Sequence, residues 1–164
     1  MKPLEPPDSM HLQAAHGWLE LGNTNESKKE LELIAASLRS HPDVLGLHWN
    51  IHENLGNWDQ CVSIGRALVE SAPEEAVGWI HRSFALHEMG RTREAYDELR
   101  PGLEIFEKEQ LIWYNMACYA CCLDEKVEAR TLLNRAIELG GDAVRTQALN
   151  DSDLRGVWVS EGEG

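Results

Sequence analysis

The chain has 164 residues, of which 43% are apolar and 26% charged, an ordinary balance for a folded soluble protein. Its formal net charge is −13, and a surface this acidic repels phosphate backbones, which argues against nucleic acid as a partner. Length and charge together predict one compact domain or a short repeat array, with neutral or basic proteins as the favoured partners.

Targeting and membrane segments are not evident in the sequence. The opening stretch MKPLEPPDSM lacks the apolar core of a signal peptide. The longest nearly apolar run, residues 111–123, is too short to span a bilayer and contains Asn115. The cysteines do not form a spaced disulfide framework, since three are clustered and Cys61 is alone. We therefore expect a cytoplasmic protein with no membrane contact.

Four short strings recur along the chain at a fixed distance: LELGNTNES, ENLGNWDQC, HEMGRTREA and CCLDEKVEA. Their turn positions are each 34 residues after the last: Gly22, Gly56, Gly90 and Asp124. Five residues after each turn comes a small residue: Ser27, Cys61, Ala95 and Ala129. A 34-residue period with a central turn predicts two helices per copy. The turn glycines are expected to end the first helices, a role that Asp124 fills less easily.

When the copies are aligned, equivalent positions in both the first and the second helices also hold similar residues; each such set of positions is a column. In the first helices, one column is filled by Leu45, Trp79 and Trp113. A second column is small at Ala15, Ser83 and Ala117, where the second copy has Trp49. In the second helices, Leu31, Leu99 and Leu133 share a column, where the second copy has Gly65. These columns indicate core packing. We hypothesise that the Trp49 indole fills the volume vacated at Gly65, so Gly65→Leu should overpack and destabilise by about 1–3 kcal/mol.

Two features interrupt the pattern. Pro101 lies inside the expected second helix of the third copy and predicts a kink or break there. Gly140 and Gly141 predict the end of the last repeat. Beyond them the sequence predicts a short helix from about Asp142, a turn around NDSD and a last helical turn. The side chains expected to cover the final apolar surface are Leu149, Leu154 and Trp158.

Several residues and strings match a known repeat pattern: Trp79, Trp113, the small Ser83 and Ala117, the turns LGNWDQC and MGRTREA, and Pro73, which closes the second copy. In these features the sequence resembles the tetratricopeptide repeat (TPR) family. The resemblance covers roughly residues 9–140. It implies an all-α, right-handed stack of antiparallel helix pairs (a TPR-like α-solenoid) with a concave groove lined by the first helices and a C-terminal capping helix. The implied division is an arm at 1–8, helix pairs at about 9–41, 42–75, 76–109 and 110–141, a capping segment at 142–159 and a tail at 160–164.

Helical geometry assigns certain first-helix positions to the groove. The candidate peptide-contacting residues are Asn50, His81, Phe84, His87, Tyr114, Asn115 and Cys118. Members of the family that grip a terminal carboxylate do so with Lys, Arg and Asn at such positions. Lys and Arg are missing here, so that activity is not carried over. Phe84 and Tyr114 are expected to anchor apolar groups, while Asn50 and Asn115 bond a peptide backbone.

The cluster of Cys118, Cys121 and Cys122 contains a C-x-x-C pair, a pattern typical of zinc sites and of thiol exchange. A zinc site needs four converging ligands, and the nearest further candidate in sequence is Asp124, a poor partner for thiolates. A thioredoxin-type pair follows a strand, and no strand pattern precedes this one. We favour cysteine as a small buried hydrophobe, with no metal ligand assigned. His48 and His52 have ligand spacing, but the H-E-x-x-H motif is absent.

The sequence thus predicts a non-catalytic protein-interaction module, of the adaptor, scaffold or co-chaperone-like kind, that binds a peptide or protein segment in its groove without a cofactor. One alternative is a metal-binding or thiol redox protein that uses the Cys118/Cys121/Cys122 cluster. Another is a structural adaptor whose convex face or ends mediate assembly.

Overall fold

The structure is a computed structural model that describes residues 3–158. Residues 1–2 of the predicted arm, residue 159 of the predicted cap and the predicted tail at 160–164 lie outside the described residues. Every regular element in residues 3–158 is helical, which agrees with the predicted fold class. The chain divides into two compact units, Met1–Glu74 and Glu75–Gly164.

The first unit contains two helix pairs. Its four α-helices are α1 (Asp8–Glu20), α2 (Thr24–Leu33), α3 (Pro42–Asn54) and α4 (Trp58–Ser71). A 3₁₀ helix at Ala36–Leu38 joins the pairs. Helix α1 packs on α2, and α3 packs on α4. The apolar core that joins the two pairs consists of Ala15, Leu31, Ile34, Val44, Leu47 and Ile51.

The second unit contains two further pairs and a C-terminal segment. Its helices are α5 (Ala76–Glu88), α6 (Thr92–Leu99), α7 (Gly102–Ile105), α8 (Gln110–Cys122), α9 (Lys126–Asn150) and α10 (Arg155–Trp158). A 3₁₀ helix at Ser152–Leu154 precedes α10. Helix α5 packs on α6, and α8 packs on α9, on α6 and on the C-terminal 3₁₀ helix.

The helices start in strict register with the sequence period. The first helices of the pairs begin at Asp8, Pro42, Ala76 and Gln110. The second helices begin at Thr24, Trp58, Thr92 and Lys126. Each start is thus 34 residues after the previous one. The backbone repeats as regularly as the sequence strings that predict it.

The four turns share one hydrogen-bond pattern. After α1, the Gly22 amide donates to the Leu19 carbonyl at 2.9 Å, and the Asn23 amide donates to the Trp18 carbonyl at 2.8 Å. The same pair of bonds follows α3, α5 and α8. This is the Schellman motif, which requires a left-handed residue after the helix. The left-handed residues, with φ between 64° and 74°, are Gly22, Gly56, Gly90 and Asp124.

Burial confirms most of the columns as core. The small residues five positions after each turn are fully buried: Ser27, Cys61, Ala95 and Ala129. Their hydrogen-bonding members reach back to the first helix, as Ser27 Oγ does to the Ala15 carbonyl at 2.7 Å. Trp49 and Gly65 are both buried, and the hypothesis that they exchange volume stays a prediction.

The tryptophan column is less buried than expected, because Trp79 and Trp113 are only half-buried. The indole of Trp113 donates from Nε1 to the Glu107 carbonyl at 3.0 Å, and the Arg135 guanidinium lies 5.9 Å from its ring centroid. Trp79 packs edge-on against Phe106, with ring centroids 6.2 Å apart. These side chains lie at the edge of the core, where one ring face meets polar groups.

Pro101 breaks the second helix of the third pair, as predicted. Helix α6 ends at Leu99 and α7 begins at Gly102. Pro101 has no amide hydrogen to continue the hydrogen-bond ladder, which restarts when Ile105 donates to the Pro101 carbonyl at 3.3 Å. Gly102 is buried, and a Cβ there would lie 3.3 Å from Ile112 Cδ1 on α8. The break therefore brings the backbone of α7 close to α8.

The C-terminal segment begins at a second break. Gly141, with φ 68° and ψ −152°, divides α9 into two parts. Of the predicted covering residues, Leu154 is fully buried, but Leu149 is 59% exposed and Trp158 is 38% exposed. The prediction for Leu149 is wrong, because the buried face of this helix part carries Val144 and Ala148. Trp158 contributes through its indole, which donates to the Ala148 carbonyl at 3.0 Å.

Candidate functional site

The C-terminal 3₁₀ helix lies on α8, on the face where Tyr114 and Cys118 point. Tyr114 is 3% exposed and Cys118 is 5% exposed. Both belong to the predicted groove, together with His87 at the end of the neighbouring helix α5. In the structure these three side chains contact the chain's own residues Asp151 and Asp153.

Asp151 is the centre of the first set of contacts. Its Oδ2 accepts a hydrogen bond from the Tyr114 hydroxyl at 2.7 Å and lies 3.8 Å from Cys118 Sγ. Its Oδ1 accepts from the Asp153 backbone amide at 2.9 Å, which caps the 3₁₀ helix. One carboxylate therefore both starts the C-terminal 3₁₀ helix and ties it to α8.

Asp153 makes the second set of contacts. Its Oδ2 lies 3.1 Å from His87 Nε2, while His87 Nδ1 lies 3.0 Å from Thr92 Oγ1 on α6. The His87 side chain is 15% exposed, and its ring centroid lies 4.9 Å from that of Tyr119. Partners on both ring nitrogens and on one ring face fix the orientation of the imidazole.

The environment of the site keeps the Tyr114 hydroxyl and the Cys118 and Cys122 thiols protonated. Burial raises the pKa of the Tyr114 hydroxyl, and the hydrogen bond to Asp151 adds to that rise. Burial also raises the pKa of the Cys118 thiol, with the Asp151 and Asp153 carboxylates as the next causes. Partial desolvation by the neighbouring residues, followed by the Asp153 carboxylate, raises the pKa of Cys122 to about 11. A reactive thiolate needs the opposite shift, so these environments oppose thiol redox chemistry.

The three clustered cysteines have different surroundings. Cys118 and Cys121 are buried, whereas Cys122 is exposed. Within residues 3–158, the grouping of side chains able to hold a metal ion consists of His87, Cys122 and Asp153, and it leaves out Cys118 and Cys121. The C-x-x-C pair of Cys118 and Cys121 is thus not part of that grouping.

The remaining predicted contact residues lie elsewhere. Asn50 belongs to the first unit, where it is half-buried on α3 and its carbonyl accepts from Asn54 Nδ2 at 2.8 Å. His81, Phe84 and Asn115 lie half-buried on α5 and α8. Burial lowers the pKa of His81 to about 4, so its imidazole is neutral near pH 7.

Sequence reasoning missed Asp151, Asp153 and Thr92 as members of this site. The string NDSD by itself predicts only a turn. The signal that could have identified Asp151 and Asp153 is their spacing, which suits the cap of a short helix. That helix lies beside a cluster of hydroxyl, thiol and imidazole donors.

None of the helices within residues 3–158 combines the length and the apolar composition that crossing a bilayer would require.

Comparison with known proteins shows the fold. TTC0263, a thermophilic TPR protein of Thermus thermophilus, superposes with a TM-score of 0.71 at 18% identity, covering 94% of this chain and 83% of that one. The chain has the fold of the tetratricopeptide repeat proteins. The MamA RS-1 ArsTM double mutant also gives a TM-score of 0.71, at 12% identity, over 94% of this chain and 90% of that one.

Similarity at the level of sequence is much weaker than this likeness of fold. No protein-family model matches the sequence, and the comparison with curated proteins finds no match. The TPR fold is one that serves protein–protein interaction in general, through the surfaces of its stacked helices.

Proposed function

We propose that this TPR-fold protein is a non-catalytic interaction module that holds a protein segment against the first helices of its pairs. The observation that supports the proposal is the C-terminal segment itself. Side chains of α5 and α8 already hold a segment of protein, through the Tyr114–Asp151 and His87–Asp153 contacts. The same segment carries a fully buried apolar anchor, Leu154. Polar contacts beside an apolar anchor are the elements of peptide recognition.

The partner contacts that we propose are the predicted groove residues that the structure leaves half-buried on the first helices. In the second unit they are His81, Phe84 and Asn115, and in the first unit, taken by itself, Asn50. Asn115 offers both a donor and an acceptor to a peptide backbone. Phe84 supplies apolar area. Tyr114 and Cys118, in this proposal, position the C-terminal segment rather than the partner.

The charge of the chain supports a neutral or basic partner segment. A formal charge of −13 attracts cationic segments and accelerates their encounter, an effect that salt weakens. We place the protein in the cytoplasm, because all four cysteines, Cys61, Cys118, Cys121 and Cys122, are free thiols. No cofactor enters this function.

A peptide-display selection on the purified chain tests the proposal. We expect enrichment of peptides that combine an apolar residue with neutral or basic neighbours, and a dissociation constant that rises with ionic strength. The selected peptide is then measured by fluorescence anisotropy against Asn115→Ala and Phe84→Ala. Each should weaken binding by about tenfold, the effect of one lost hydrogen bond or anchor.

The matched controls lie on the second helices, where Asp97 on α6 and Val127 on α9 are exposed. Asp97→Ala and Val127→Ala should leave the affinity within about twofold. The reverse pattern, with binding lost at Asp97 or Val127 and kept at Phe84 and Asn115, would contradict the proposal and support the structural adaptor that binds through its outer face.

A further inference from the structure

Three chemically different ligands meet at the end of helix α5. His87 comes from α5, Cys122 from α8 and Asp153 from the C-terminal 3₁₀ helix. The imidazole nitrogen, the thiol sulfur and a carboxylate oxygen all lie within 4.8 Å of one another. Far-apart parts of the sequence thus supply one convergent donor set, and the proposed function uses none of it for a partner.

We propose that His87, Cys122 and Asp153 bind a zinc ion. Imidazole, thiolate and carboxylate together suit zinc, which accepts nitrogen, sulfur and oxygen ligands in tetrahedral geometry. Zinc-to-ligand bonds of about 2.0–2.3 Å place the ligand atoms about 3.3–3.8 Å apart. The separation of 3.1 Å between His87 Nε2 and Asp153 Oδ2 is close to that value, and the Sγ of the exposed Cys122 lies within 4.8 Å of the ligand atoms of both residues.

The surroundings hold two of the ligands in place. Thr92 Oγ1 lies 3.0 Å from His87 Nδ1, which leaves Nε2 directed toward Asp153. Asp151 Oδ1 accepts from the Asp153 amide at 2.9 Å, and Leu154 next to it is fully buried. Such outer contacts fix the ring orientation and backbone of metal ligands, and their loss weakens binding.

Coordination replaces the thiol proton of Cys122, which is released to solvent as the sulfur binds zinc as thiolate. His87 binds through the lone pair of Nε2, so its ring proton lies on Nδ1 and is donated to Thr92 Oγ1. The three protein ligands leave a fourth position for water, as in zinc sites with an open position. The bound ion joins α5, α8 and the C-terminal 3₁₀ helix. Zinc binding therefore stabilises the segment that covers Tyr114 and Cys118.

Metal titration of the full chain tests the site. After the protein is stripped with a chelator, we expect it to take up one zinc ion per chain, measured by competition with a chromophoric chelator. Cobalt(II) should give a sulfur-to-cobalt charge-transfer band together with visible bands of tetrahedral intensity. Zinc at about 100 times its dissociation constant should raise the melting temperature by about 5–10 °C.

Variants assign the ligands. Cys122→Ser and Asp153→Asn should each weaken zinc binding by well over tenfold, and Cys122→Ser should abolish the charge-transfer band. Thr92→Ala should weaken binding by about 10–100-fold, the usual effect of an outer contact. Cys61→Ala should bind zinc as the parent does, because Cys61 lies in the first unit, in a column that holds alanine in two other copies.

Circular dichroism of each zinc-free variant shows whether the fold is kept. The proposal is wrong if the folded parent chain takes up no zinc, or if Cys122→Ser and Asp153→Asn both bind zinc with the parent affinity. Peptide affinity, measured separately on the zinc-free chain, keeps failure of this site distinguishable from failure of the interaction module.

Discussion

Helices α1 and α8 have the same length, 13 residues, and end in the same turn, yet they differ greatly in burial. Helix α1 buries one residue, Ala15, whereas α8 buries eight. The position of exposed His16 on α1 corresponds to that of buried Cys118 on α8. The cause is what packs on each helix, since α8 also contacts α6 and the C-terminal segment. Equivalent positions in a repeat thus share a backbone but not an environment.

Removing the buried side chain of Leu154, which anchors the C-terminal segment on α8, should have the largest effect on the difference in burial between α8 and α1. Leu154→Ala should lower the free energy of unfolding by about 2–5 kcal/mol, because it leaves a cavity beneath a fully buried side chain. Leu149→Ala removes the same atoms from a side chain that is 59% exposed, and should cost less than about 1 kcal/mol. Urea unfolding of both variants measures the contrast. Equal losses would show that the segment does not stabilise the unit.

Acid should test the environment of His81 on α5, in the second unit. Burial lowers the pKa of His81 to about 4. The unfolded chain therefore binds the proton first, and stability falls as the pH drops from about 6.5 to about 4, by up to about 3 kcal/mol. The loss should be complete below about pH 4.

A histidine variant assigns that pH dependence. His81→Asn should reduce the pH dependence of the unfolding free energy between about pH 6.5 and 4, and His48 and His52, whose pKa values burial also lowers, contribute to what remains. An unaltered slope in His81→Asn would mean that other groups produce it. Urea unfolding at a series of pH values gives the required curves.

The hydrogen bond between Tyr114 and Asp151 should have an intermediate effect. Tyr114→Phe should cost about 1–2 kcal/mol, since it removes a donor from a carboxylate at 2.7 Å. The matched variant Tyr119→Phe loses a longer bond to the neutral Ser83 Oγ at 3.3 Å, and should cost about 0.5–1 kcal/mol. Thermal unfolding ranks the two, and a larger loss for Tyr119→Phe would contradict the importance of the Asp151 contact.

The smallest expected effect concerns the fourth turn. Asp124 has φ 64°, a conformation that costs a residue with a Cβ about 1 kcal/mol, and its ion pair with Lys126 is exposed. Asp124→Gly should raise stability by about 0.5–1 kcal/mol, whereas the reciprocal Gly90→Asp should lower it by about 1 kcal/mol. A destabilised Asp124→Gly variant would show that the aspartate side chain stabilises its turn.

The sequence predicts the backbone well because the repeat is a local property. Four strings 34 residues apart locate Gly22, Gly56, Gly90 and Asp124, and each is a left-handed turn residue in the structure. The break at Pro101 follows equally from the chemistry of one residue. Boundaries between helices depend on residues that are neighbours in the chain, and the sequence shows these neighbours directly.

The site depends on contacts between distant residues, and the sequence pattern carries little information about them. His87 and Asp153 are 66 positions apart, and Cys118 and Asp151 are 33 apart. Periodicity places His87, Tyr114 and Cys118 on one side of their helices, but it does not predict that Asp151 and Asp153 return to meet them. The segment after the last repeat has no counterpart in the other copies, so no column predicts its path.

The backbone at Gly141 has a consequence for how the protein opens. With φ 68° and ψ −152°, Gly141 adopts a conformation essentially restricted to glycine, and the two parts of α9 are separate helices that meet at a kink. Fraying that begins at the C-terminus should therefore stop at this residue. In native-state hydrogen exchange, the amides of residues 145–150 should exchange together and faster than those of residues 132–137, which makes the C-terminal segment a separate unit of local opening.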